Sequence, residues 1–108
     1  MSDDKNTGRD DDDKVLCETP TPGKQPTRIP RWKYDALRGI ILEVIEAAGE
    51  SGVELKALPD VVREKLSPDT LEDLGSVTWH VTAVKLDMEA KGEITRTDDG
   101  GPQRLVKA

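Results

Sequence analysis

A chain of 108 residues with 34% apolar and 35% charged residues holds one small domain and has no room for a large core. Its one cysteine, Cys17, excludes an intramolecular disulfide. No apolar run has the length of a bilayer span, and the polar segment Met1–Lys14 lacks the apolar centre of a secretory signal, so the expected location is cytoplasmic.

The net charge of −6 is unevenly spread: residues 28–38 carry four bases and one acid, residues 39–75 nine acids and three bases, and residues 76–108 five of each. Residues 1–14 are rich in Asp and poor in apolar side chains, a composition that cannot offset chain entropy, and they read as a disordered acidic tail. Within it Asp10-Asp11-Asp12-Asp13-Lys14 has the form of an enteropeptidase recognition sequence, set in flanks that read as natural sequence. Residues 15–29 form a Pro-rich extended arm, with Pro22-Gly23 suited to the centre of a type II turn. The domain proper is expected over residues 30–108.

A first helix is predicted from Pro30 or Arg31 to Ala48, because proline fits a first turn and Tyr34, Leu37, Ile40, Ile41, Val44, Ile45 and Ala48 fall on one side. Gly49 to Gly52 ends it, and Val53 suits a one-residue bridge or short strand. A second helix is predicted over Leu55–Leu66, with Leu58, Val62 and Leu66 inward and a loose first turn ahead of Pro59. Ser67-Pro68 caps a further turn to Leu74, closed by Gly75. The third main helix is predicted over Ser76–Lys91, stopped by Gly92. A hairpin follows, Glu93–Thr97 and Gln103–Lys107, around the turn Asp98-Asp99-Gly100-Gly101-Pro102.

At 100° per residue the third helix has two apolar stripes. Val77, Val81, Val84 and Met88 form one, while Trp79, Ala83, Leu86 and Ala90 form another nearly opposite. Thr78, Thr82, Lys85 and Glu89 lie on one flank, His80, Asp87 and Lys91 on the other.

This order of elements resembles a winged helix-turn-helix domain of the bacterial-regulator kind. The run Met88-Glu89-Ala90-Lys91-Gly92-Glu93-Ile94 is similar to the signature that ends the third helix in such proteins, and Leu58-(x)3-Val62-(x)3-Leu66 suits their second helix. Gly92-Glu-Ile-Thr-Arg leading to Gln103-Arg-Leu also resembles the winged modules of bacterial restriction systems that act on modified DNA. Pro22-Gly23, Arg28-Ile29, Lys33-Tyr34 and the helix bearing Trp79 resemble a small bacterial family of uncharacterised function. The implied class is α+β: three main helices and a C-terminal two-stranded wing.

Two partners follow from the resemblance. Duplex DNA, the partner of a transcriptional-regulator-like module, would meet Arg31, Lys33, Thr78, Thr82, Lys85, Arg96, Arg104 and Lys107. The outward face of the third helix offers few of the side chains that read bases, and Asp69, Glu72 and Asp73 precede it. The alternative is a protein partner, this chain itself or another, on Trp79, Ala83, Leu86 and Ala90. Trp79 and Leu86 are expected to be covered, by the arm or by that partner. No catalytic residue, metal site, cofactor or membrane partner is expected: one Cys and one His make no zinc pattern, a Cys17–His80 dyad has no third orienting group, and there is no phosphate-binding glycine loop.

Overall fold

The computed structural model describes residues 13–19, 26–97, 101 and 103–108. Most of the acidic tail, the Pro22-Gly23 turn and most of the Asp98–Pro102 turn lie outside the described residues. The architecture is α+β, with four α-helices and two small antiparallel sheets.

The arm pairs with itself. Strand β1 (Lys14–Cys17) runs antiparallel to β2 (Thr27–Pro30), with Val15 opposite Ile29 and Cys17 opposite Thr27. Alternation puts Cys17 and Ile29 into the core and leaves Leu16 and Arg28 outside. The hairpin feeds directly into helix α1 (Arg31–Ala48), whose N-cap is Pro30. Pro30 offers no capping side chain, and the first helical N–H, that of Arg31, is donated instead to the Asp13 carbonyl at 2.7 Å. The arm thus supplies an acceptor to the helix it precedes.

On α1, Tyr34, Leu37, Ile41, Val44 and Ile45 are buried, while Ile40 packs half-buried at the edge. A short 3-10 turn at Gly49–Ser51 leads to strand β3 (Val53–Glu54), which pairs with β5 (Arg104–Lys107). Gly52 makes this approach possible: its φ is +74°, and a Cβ there would sit 2.9 Å from the Leu105 carbonyl oxygen. Strand β4 (Ile94–Arg96) pairs with the other side of β5, so the sheet order is β3-β5-β4. The C-terminal hairpin is therefore part of a three-stranded sheet, where the sequence reading had a two-stranded wing and, at Val53, a bridge or short strand without an assigned partner.

The second helix is shorter than expected. A 3-10 turn at Leu55–Ala57 precedes α2 (Leu58–Lys65), with Pro59 in its first turn. Leu66 has left the helix with extended backbone and is half-buried, whereas a helical inward position was predicted for it. The segment after it is a true helix, α3 (Pro68–Leu74). Ser67 Oγ accepts from the Thr70 N–H at 3.2 Å, and Leu74 is buried while Leu71 packs at the core margin. That raises the helix count from three to four.

Helix α4 (Val77–Ala90) is capped at both ends by its own sequence. Ser76 Oγ accepts from the Trp79 N–H, and Gly92, at φ +77°, turns the chain so that the Gly92 and Glu93 N–H groups reach the carbonyls of Glu89 and Met88. Its buried stripe, Val77, Val81, Val84 and Met88, packs with Leu37 and Ile41 of α1, Leu58 and Val62 of α2, and Ile94 and Leu105 of the sheet in one core. Of the inward positions named from periodicity, Ile40, Ala48 and Leu66 are half-buried and the others are buried.

Candidate interaction site

Helix α4 presents four faces to four different surroundings. The inward face is the core just described. On the outward face Trp79 is 50% exposed, Ala90 is exposed, and Ala83 and Leu86 are half-buried. The expected covering of Trp79 by the arm is not seen: the described arm residues pack instead beside Asp87, on the flank next to this stripe. Trp79 is accompanied by His80, whose ring meets it edge-on at 4.8 Å between centroids. His80 Nδ1 lies 2.7 Å from the Ser76 carbonyl oxygen. Burial, and secondarily the nearby Lys33 ammonium, hold the imidazole below its usual pKa despite that bond, so it is neutral at pH 7.

On the first flank Thr78 and Thr82 are exposed, but Lys85 is not. Its Nζ donates to Glu89 Oε2 at 3.0 Å, and Arg96 of β4 donates through Nε to Glu89 Oε1 at 2.8 Å. The Lys85 and Glu89 side chains are 8% and 10% exposed. Burial pushes the Glu89 carboxyl upward, but the bonds from Arg96 and Lys85 outweigh it and hold the group below the usual range. Both cations expected to face a nucleic acid here are turned onto one internal carboxylate.

On the second flank Asp87 is fully buried. Its carboxylate accepts from Tyr34 Oη at 2.5 Å, from the Glu18 N–H at 2.9 Å and from Lys91 Nζ at 2.8 Å. One side chain thus joins the arm, α1 and the end of α4. Burial raises its pKa, and the three bonds more than reverse that, leaving it depressed. The sequence reading placed Asp87 on a flank without a role. A signal was present: an acid in the last turns of a helix opposes the macrodipole, and one kept there has a partner elsewhere.

Cys17 sits against the same cluster. Burial, then the Asp87 charge, push its thiol up to about 11, so it is not an activated nucleophile. The neighbours that set its ionisation are Asp87 and Lys91, while His80 is engaged with Ser76 two turns away along α4. Among the described residues no group of three or more His, Cys, Asp or Glu side chains is placed to hold a metal ion, and no helix is long and apolar enough to cross a membrane.

The remaining expected DNA contacts are dispersed. Arg31 pairs with Asp13 at 2.9 Å, and Lys33 donates to the Leu74 carbonyl at 3.2 Å with its Nζ 5.7 Å from the centre of the Trp32 ring. Arg104 approaches Glu54 at 3.9 Å, and Lys107 pairs with Glu46 at 3.0 Å, near the far end of α1. Only Thr78, Thr82, Lys85 and Arg96 share one side of α4. A shallow groove of about 460 Å³ beside Lys107, floored by Ile45 and Val106, adjoins Glu46 and Glu50. No curated protein and no solved structure gives a significant match to the chain. Residues 14–105, from the first arm strand to the middle of β5, match the profile of a family of unknown function (DUF6958), and the chain belongs to that family.

Proposed function

We propose that this protein is a non-enzymatic winged-helix module that binds another protein through the outward face of α4. The order α1-β3-α2-α4-β4-β5 and the sheet order β3-β5-β4 support the winged-helix reading, with α3 as an insertion between the second and third main helices. One observation carries the choice of partner. Trp79 stands half exposed on the outward helix, while Arg31, Lys85, Arg96, Arg104 and Lys107 each already pair with a carboxylate of the same chain. Phosphate would have to compete for each of those cations, and affinity for duplex DNA rests on such contacts. An exposed tryptophan beside alanines gives a protein partner apolar area at little cost in side-chain entropy.

The test is site-specific photo-cross-linking from position 82, beside Trp79, in cells producing the protein. Cross-linking to protein, abolished by Trp79→Ser, is the expected result. The reading fails if the only product is nucleic acid, or if random duplex DNA binds at low salt with an affinity that Arg96→Ala and Arg104→Ala remove.

A further inference from the structure

We infer that the protein occupying this face is a second copy of the chain, its α4 packed antiparallel to the first. This rests on the protein-binding reading of the α4 face and names its partner. Trp79, Ala83, Leu86 and Ala90 are spaced 4-3-4, the repeat with which one helix packs along another at a shallow angle. The series is self-complementary only when reversed. In an antiparallel pair Trp79 lies opposite the partner copy's Ala90, and Ala83 opposite the partner copy's Leu86, so every large side chain meets a small one. In a parallel pair tryptophan meets tryptophan and alanine faces alanine, leaving a clash beside a gap.

Charge selects the same arrangement. A chain of net charge −6 repels its own copy except where the surface is neutral, and the α4 seam is neutral because Lys85, Asp87 and Glu89 are largely buried and bound internally. Antiparallel packing also opposes the two helix dipoles favourably. Parallel packing aligns the two dipoles unfavourably.

A 14-residue helix is about 21 Å long. One helix pair of that length buries less than the roughly 800 Å² per partner of a standard stable complex, so the dimer is weak and is to be sought at chain concentrations from about 10 µM to 1 mM.

Sedimentation of the full chain across that concentration range reads the proposal directly. The expected result is a reversible monomer–dimer equilibrium that Trp79→Ala shifts to monomer, with the helical circular dichroism unchanged. Ala83→Glu and Leu86→Lys should each give monomer alone, and a mixture of the two should dimerise, because an antiparallel pair sets the new carboxylate against the new ammonium. Loss of the dimer in Trp79→Ala without recovery in the mixture overturns the antiparallel arrangement. A dimer that persists in Trp79→Ala overturns the face. Monomer at 1 mM overturns the second copy as occupant, and the cross-linking from position 82 then separates the two failures: a different protein captured there keeps the face, and no protein captured removes the protein-binding reading itself.

Discussion

Asp87 and Glu89 stand two residues apart on α4, the first fully buried and the second largely so, both held below their ordinary pKa, yet they are stabilised by different means. Glu89 is surrounded by cations: Lys85 on its own helix and Arg96 on β4. Asp87 has one cation, Lys91, and two neutral donors, the Tyr34 hydroxyl and the Glu18 backbone N–H. The first cluster ties the sheet to α4 and the second ties the arm to α4 and α1. A carboxylate held by neutral donors is itself the charge that the site must accommodate. A carboxylate held by two cations is one member of a group whose other members also need it.

The largest expected effect is at Asp87. Replacing it by Ala leaves a buried tyrosine hydroxyl, a backbone N–H and an ammonium without their acceptor, and should cost about 3–5 kcal/mol by denaturant unfolding. Retention of near-wild-type stability would break the contrast, since it would mean that the arm does not depend on this side chain. Glu89→Ala should follow at roughly 2–4 kcal/mol, because Lys85 stays buried with no counter-charge while Arg96, about a third exposed, turns to water. The double variant Lys85→Met with Glu89→Leu should recover most of that loss, as buried ion pairs replaced by apolar groups often do. No such apolar swap should rescue the Asp87 cluster, whose donors include a main-chain N–H that cannot be mutated away.

pH separates the two junctions further. A depressed carboxyl means that the unfolded chain takes up protons first as pH falls. The stability from Asp87 and Glu89 is therefore complete above their unfolded values, about 3.9 and 4.3, and is lost as pH falls through the lower folded values. In alkali the sign reverses for the arm side. Cys17, pushed up to about 11, and Tyr34, raised by burial and by its bond to Asp87, contribute stability that is full below their ordinary values of about 8.5 and 10 and is lost as pH rises through the folded ones. Amide exchange at Val15 and Ile29 should thus accelerate above about pH 9 in advance of exchange in the C-terminal sheet. Simultaneous loss would show one cooperative unit and dissolve the distinction between the junctions.

The smallest effect is the sharpest probe. Tyr34→Phe removes one donor and leaves the Asp87 acceptor two others, so a cost of about 1 kcal/mol is expected, together with faster exchange of the Glu18 amide. The outcome to set against it is a cost equal to that of Asp87→Ala, which would make Tyr34 the anchor in place of Asp87.

Helical periodicity and caps were legible from the residues alone. The spacing of Leu37, Ile41 and Val44 on α1 and of Val81, Val84 and Met88 on α4, with Ser76 and Gly92 at the ends of α4, specifies which side is buried because those signals act within four residues of chain. The same holds for Ser67-Pro68, although only the contact of Leu74 with the core extends that cap into a full two-turn helix.

What lay beyond reach is what depends on distant partners. The arm hairpin needs Asp87, 69 residues from Glu18; the pairing of the short strand at Val53 with β5 needs Gly52 to admit the backbone of Leu105; and the fate of each wing cation needs a carboxylate from another element. A sequence shows that Lys85, Arg96 and Lys107 are charged. Whether a charge is offered to a partner or spent on its own chain is decided by which carboxylate the fold brings within about 3 Å, since Coulomb attraction and desolvation act through space. For the outward stripe of α4 the division is the same: spacing made it apolar, and the packing of the arm against Asp87, one flank away, left Trp79 half in water.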